Sequence, residues 1–155
     1  MEAGARALGY RSILGDPRKK KMAKKINKII KYRELWRPFC PSILENKVKT
    51  LLKGSFDSKF MTVSFEASEK LKSIAPAIVH VDETCRIQSV SKKDNLRFYK
   101  LINEFYKITG VPVVLNTSFN IKGEPIVCTP KDAIKTFYAT GLDLLVLNNY
   151  IIRKK

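Results

Sequence analysis

The chain has 155 residues, 45% of them hydrophobic, which suits one domain with a proper core. It has no run near the ~18 apolar residues of a membrane span, no apolar middle to its polar first 20 residues as a secretory signal has, and no CxxC pair among Cys40, Cys85 and Cys128. A cytoplasmic chain with no membrane segment, disulfide framework or structural zinc is therefore expected, and 30 basic against 14 acidic residues, a net charge of +16, favours polyanionic partners.

The opening EAGARALGYRSILGDPR has several glycines and no clean period, and reads as an extended arm over 1–17 ahead of a domain over 18–155. KKKMAKKINKII places Met22, Ile26, Ile29 and Ile30 at helical spacing and predicts an amphipathic helix over roughly 18–29. WRPFCP must leave helix, because proline removes a donor and restricts the residue before it. SILENKVKTLL reads as a short helix, opened by Ser42 with Glu45 three residues on as a capping box. FMTVSF alternates like a strand, and Ser68 to Ser73 reads as a short helix or turn.

AIVHV and RIQSV look like two strands joined by an Asp82-Glu83-Thr84 turn. NLRFYKLINEFYKIT predicts a helix whose buried side is Leu96, Tyr99, Leu101, Ile102, Phe105 and Ile108, ended by Gly110. VPVVL is a strand, Thr129-Pro130 opens a helix running to Thr140, and LLVLNNYII supplies a last strand or strand pair. Alternating strands and helices point to the α/β class with a mixed sheet.

Charge is concentrated from Arg18 to Arg37, where ten basic residues (Arg18, Lys19, Lys20, Lys21, Lys24, Lys25, Lys28, Lys31, Arg33, Arg37) meet one acidic residue, Glu34. The block is either a solvated helix face or a surface for a nucleotide, RNA or acidic protein. Within it, Lys31 and Arg33 lie two apart, and in an extended segment they project to one face. With Arg37 beyond, they are suited to neutralise a triphosphate, arginine by paired contacts and lysine as a point charge. The structural alternative is an edge strand blunted by lysine.

A second feature follows the apolar run Val111 to Leu115, which ends abruptly in Asn116, Thr117, Ser118 and Asn120. A turn explains such residues. So does a ligand at the carboxyl end of a central strand, where Ser118 and Asn120 can donate to phosphate oxygens.

Taken together, RALGYRSIL, KYRELWRPFCPSIL, HVDETCRIQSV, DNLRFYKLI, TGVPVVLNTSFNIKGEPIVCTPKDAI and TGLDLLVL resemble the carboxyl-terminal domain of the O-carbamoyltransferase family, which includes nodulation and antibiotic-tailoring enzymes. The resemblance runs in order over nearly the whole chain. It implies a YrdC-like fold, a twisted mixed sheet flanked by helices, with a Lys-x-Arg … Ser-x-Asn tetrad that binds ATP: here Lys31, Arg33, Ser118 and Asn120. In the family this domain joins a carbamate unit derived from carbamoyl phosphate to the α-phosphorus of ATP, giving carbamoyl-adenylate and pyrophosphate, with Mg²⁺ travelling on the nucleotide and no metal ligand expected from this chain. Such chemistry needs positioning and charge stabilisation more than a protein nucleophile.

The resemblance adds Asn116 and Arg86 to the expected nucleotide site, with a strand-end surface arginine as the alternative for Arg86, while Arg37 either anchors its loop or joins them at the phosphate. It also places Arg6 and Arg11 in an Arg-Ala-Leu-Gly-x-Arg-Ser interdomain junction. His80 reads as a satisfied structural histidine ahead of any direct role, and Asp82 as a turn cap ahead of a base. The sequence departs from the family where Gly4-Ala5-Arg6 replaces Gly-Pro-Arg and Tyr10 replaces Asn. The family's larger preceding domain, which transfers carbamoyl to an acceptor, is expected as a separate or deleted partner. An alternative is a basic RNA-binding module of the same fold. Against it, the basic block has little aromatic interleaving, with Tyr32 and Trp36 only at its end.

Overall fold

A computed structural model describes residues 9–154 as a small mixed α/β domain. Its centre is a four-stranded sheet in the order β1 (Ser12–Gly15), β7 (Val113–Ser118), β2 (Cys40–Leu44), β6 (Gln88–Val90). The sheet is mixed as expected: β7 runs antiparallel to both neighbours, and β2 runs parallel to β6. The expected arm is, over Ser12–Gly15, an edge strand of this sheet. A second sheet holds β3 (Leu52–Lys53), β4 (Ser64–Ala67) and β5 (Thr84–Arg86), and β8 (Leu144–Leu147) pairs with β9 (Tyr150–Arg153) as a hairpin.

The two faces of the central sheet differ. Ile13, Ile43, Val113 and Leu115 point into the larger core, shared with Ile26, Ile30, Leu71, Ile78 and Phe137. On the other face Leu44, Val90 and Val114 meet Phe98 and Ile102 of helix α4 (Leu96–Thr109). That helix starts on Asn95, whose side chain accepts from Phe98 N at 3.0 Å, and ends on Gly110 in the left-handed conformation, as its sequence dictates. Its buried stripe is narrower than expected. Phe98 and Ile102 are inside, whereas Leu96, Leu101 and Ile108 face solvent, because only one line of the helix touches the sheet.

Helix α5 (Pro130–Tyr138) opens with a full capping box between Thr129 and Asp132, as Thr129-Pro130 foretold. The box expected at Ser42 is absent. Ser42 lies within β2 and gives its hydroxyl to Gln88, and the chain turns helical only at Glu45–Lys47 (a 3₁₀ turn) and α2 (Val48–Leu51). The strand read in FMTVSF starts late, at Ser64, because Met61 is buried with φ of 57°, a conformation no strand accommodates. AIVHV is not a strand: Pro76–Ile78 forms a 3₁₀ turn, and His80 N bonds Thr84 O across the Asp82-Glu83-Thr84 turn. Ser68 caps helix α3 (Glu69–Ile74). No described helix is long and apolar enough to cross a membrane.

The basic segment departs most from expectation. Helix α1 (Lys21–Ile26) is followed by a π-helical turn, Asn27–Lys31, and Tyr32 then reverses the chain at φ of 47°. An α-helix continuing at 3.6 residues per turn would carry Lys31 on the same face as Lys24 and Lys28, seven and three residues back. The wider π turn rotates it inward. Lys31 is 6% exposed, while Lys21, Lys24, Lys25 and Lys28 stay in water.

Candidate functional site

Antiparallel pairing brings the start of β1, the carboxyl end of β7 and the start of β2 together, and β6 adds its own start beside β2. Side chains alternate along each strand, so one face carries Val114, Asn116 and Ser118 on β7, with Leu44, Ser42 and Cys40 on β2 and Val90 and Gln88 on β6. Read toward this end, all three series change from apolar to polar. The apolar part is covered by α4.

At the polar end, the π turn delivers Lys31. Its Nζ lies 2.9 Å from Ser118 O, 3.1 Å from Ser118 Oγ, 2.8 Å from Asn120 O and 2.7 Å from Asn120 Oδ1. These four oxygens are neutral and belong to a loop nearly ninety positions away in sequence. The loop is itself braced: Ser118 Oγ donates to Asn120 Oδ1 at 2.6 Å, and Asn120 Nδ2 donates to Glu124 O at 2.8 Å. Three of the four expected phosphate-binding residues thus converge. Lys31 does so from a helix end, not from the extended segment read in the sequence, and it is buried, not on an open surface.

Arg33 follows the left-handed Tyr32 and takes another course. Its guanidinium lies 4.5 Å from the centre of the Phe39 ring, and its Nε donates to Asn27 Oδ1 at 2.6 Å. Asn27, 0% exposed, was not legible as a functional residue, since it sits unmarked in KKINKII. Its Nδ2 donates to Arg37 O at 2.9 Å and Leu35 O at 3.4 Å, and its carbonyl accepts from Arg33 N at 3.1 Å. One buried amide therefore fixes the loop from Arg33 to Arg37.

Arg37 is not drawn into the cluster. Its guanidinium pairs with Glu34 at 2.9 Å on the surface, because an arginine and a glutamate three apart in a turn meet directly. Arg86 ends β5 at the same end of the sheet, where its Nε lies 3.3 Å from Cys40 Sγ, and Cys40 is the cross-strand neighbour of Asn116. Arg11 donates through Nη1 to Val127 O at 3.3 Å, and its own carbonyl accepts from Phe119 N, which ties β1 to the loop after β7. Arg6 lies outside the described residues. Ser42 and Gln88, which the sequence reading missed, form a buried network with Asn116.

His80 is half-buried, with its ring 3.3 Å from Thr84 Oγ1, and burial pushes its pKa below the ordinary 6.5. Asp82 accepts from Thr84 N at 3.0 Å and Thr84 Oγ1 at 2.7 Å, and those bonds hold its carboxyl below the usual range. It caps a turn, as expected. Two surface clefts lie at the opposite end of the sheet, one lined by Glu45, Lys59, Asp94 and Tyr99, the other by Leu96, Lys100 and Asn103. Among the described residues no three His, Cys, Asp or Glu gather as metal ligands.

Comparison with known proteins agrees with the resemblance in the sequence. The family described as "Carbamoyltransferase C-terminus" matches residues 1–154. The chain is 45% identical over 157 residues to nodulation protein NolNO of Sinorhizobium fredii, covering 99% of this chain and 23% of that protein. It is 44% identical over 157 residues to nodulation protein NolO of Bradyrhizobium diazoefficiens, covering 99% and 29%. An uncharacterized protein of Methanocaldococcus jannaschii is 43% identical over 155 residues, covering 100% and 26%. The chain spans about a quarter of the length of these relatives.

Proposed function

Because this chain belongs to the carbamoyltransferase C-terminus family, we propose that the Lys31 end of its central sheet binds ATP and forms carbamoyl-adenylate. The observation that carries the reading is the four-way contact of the Lys31 ammonium with Ser118 and Asn120. Groups that meet there are an ammonium, a hydroxyl and an amide, all able to donate to phosphate oxygens. With the triphosphate seated, Lys31 exchanges carbonyl oxygens for phosphate oxygens, and Ser118 Oγ turns its proton from Asn120 to the ligand.

Arg86, beside Cys40 at the same end of the sheet, is assigned to supply positive charge where pyrophosphate leaves, and Arg33, held by Asn27 and Phe39, is assigned as a second cation for it. In the reaction, carbamate freed from carbamoyl phosphate by hydrolysis attacks the α-phosphorus through an oxygen. A new P–O bond forms, the bond to the β-phosphate oxygen breaks, and pyrophosphate departs with the electron pair. The protein's contribution is alignment and preorganised charge. The donor set suits anionic oxygen and not a bare cation, so Mg²⁺ is carried by the nucleotide's own phosphates. Transfer to an acceptor hydroxyl is assigned to the additional length that the relatives carry.

A second reading rests on a different observation, the exposed stripe of Lys21, Lys24, Lys25 and Lys28, which suits RNA phosphates. Titration with a non-hydrolysable ATP analogue and Mg²⁺, beside the GTP analogue at two salt concentrations, separates the two. Adenine-selective binding that survives the higher salt and weakens about fivefold in Ser118→Ala supports the adenylation reading. Binding that ignores the base and falls steeply with salt rejects it in favour of RNA.

A further inference from the structure

Beside the Lys31 cluster, the Asn116 side chain is 1% exposed and has one atom without a partner. Its Nδ2 donates to Ser42 Oγ at 2.9 Å and to Gln88 Oε1 at 2.9 Å, which uses both of its protons. Ser42 Oγ donates in turn to Gln88 Oε1 at 2.7 Å, so in this arrangement the Asn116 amide is oriented by Ser42 and Gln88 together. What is left over is Asn116 Oδ1, a buried carbonyl oxygen with no hydrogen-bond partner among the described residues. Buried polar atoms are nearly always satisfied, and an exception marks either strain or a site for something else.

An amide oxygen only accepts. The group that completes it must therefore bring an N–H or O–H, which excludes the ionised phosphate oxygens of ATP and of pyrophosphate. Asn116 also stands on the same strand face as Ser118, two residues on, so the two side chains are about 6–7 Å apart along β7. That separation matches a small ligand with a donor at one end and a phosphate at the other. A carbamoyl group joined to phosphate has this form: an –NH₂, a planar carbon, then phosphorus.

We infer that Asn116 Oδ1, held in place by Ser42 and Gln88, is the acceptor that recognises the –NH₂ of the carbamoyl group while Lys31, Ser118 and Asn120 hold the adjoining phosphate. The inference rests on the ATP reading above. It adds a reason for selectivity: a carboxylate or acetyl group of equal size leaves Oδ1 unsatisfied in a dry site and is rejected. The 6-amino group of adenine offers the same chemistry, and the test separates the two sources.

The test compares carbamoyl phosphate with acetyl phosphate, which replaces –NH₂ by –CH₃ at nearly equal size. Each is titrated into the nucleotide-free 155-residue chain, following the Asn116 side-chain amide signals by NMR. The expected result is binding of carbamoyl phosphate about tenfold tighter than acetyl phosphate, with the Asn116 signals moving only for the former, and loss of that preference in Asn116→Leu. Equal affinity for the two phosphates in the unsubstituted chain overturns the inference without any variant, so a failure of Asn116→Leu to fold does not protect it. A preference that persists in a folded Asn116→Leu overturns it as well. If the variant instead levels ATP against the triphosphate of purine riboside, which lacks the 6-amino group, the acceptor reads adenine and the carbamoyl assignment is wrong. Absence of ATP-analogue binding in the unsubstituted chain overturns the underlying nucleotide reading, a result distinct from the others.

Discussion

Lys28 and Lys31 lie three residues apart in one basic block, yet they occupy different physical worlds. Lys28 belongs to a stripe with Lys21, Lys24 and Lys25 that projects into water from a helix whose other face is sealed into the core by Ile26 and Ile30. Lys31 is buried against Ser118 and Asn120. A count of charges treats the two alike. Burial separates them, because an ammonium in water interacts through a high dielectric and a mobile side chain, while one held by four oxygens is already oriented and largely desolvated. The comparison teaches that charge is held in place at a different position from where it is densest, which is why the proposed site is put at Lys31.

The sharpest way to break this contrast is Lys31→Ala. It removes a cation and leaves the Ser118 and Asn120 oxygens without their common donor. ATP-analogue affinity is expected to fall roughly 10–100-fold, with about 1–3 kcal/mol of lost stability by urea titration. An unchanged affinity would mean that the buried lysine only braces the loop.

Next in size is Asn27→Ala. It strands the carbonyls of Leu35 and Arg37 and frees the Nε of Arg33 from its 2.6 Å bond. A loss of about 2 kcal/mol is expected, along with weaker ATP-analogue binding that the core substitution Ile102→Ala, destabilising by a similar or larger amount, does not reproduce. Matched losses of affinity in both variants would reduce Asn27 to a stability residue.

A smaller effect is expected from pH. Because burial lowers the His80 pKa in the folded state below 6.5, the unfolded chain binds the proton more readily. This contribution to stability is complete above pH 6.5 and is lost as pH falls from there toward the lowered folded value. Urea midpoints taken between about pH 8 and 5 should decline through that window in the native chain and stay flatter in His80→Asn.

The smallest effect belongs to the other side of the comparison. Lys24→Ala combined with Lys28→Ala should leave Tm and ATP-analogue affinity where they were, since both side chains stand in water. If the stripe contacts RNA, the same pair lowers the salt slope of binding by about 1–2. A fall in ATP-analogue affinity would extend the nucleotide site onto the helix and erase the contrast.

Much of this protein was legible before its structure. Helix α4 announces itself through its period and Gly110 stop, and α5 through Thr129-Pro130, because caps and amphipathic spacing are local physics. Ser118 and Asn120 could be singled out because an apolar strand ends there in a run of small polar groups. Ser42 and Asn27 could not. The first resembles a helix cap and becomes a buried strand hydroxyl, and the second is an ordinary polar residue between lysines until the fold closes around it.

What the sequence determined by itself was the α/β class, the places where chain direction must change, the family, and the residue types that could hold a phosphate. Which of them meet was decided only in three dimensions. The carboxyl end of β7 gathers polar groups not because the sheet is parallel, for its neighbours run the other way, but because their amino ends bring Arg11, Cys40 and Gln88 beside it. Lys31 reaches that place because a π turn rotates it off the exposed stripe, and Arg37 misses it because Glu34 is nearer. Turn geometry and pairing over nearly ninety residues depend on the free energy of the whole core, which no local window of sequence contains.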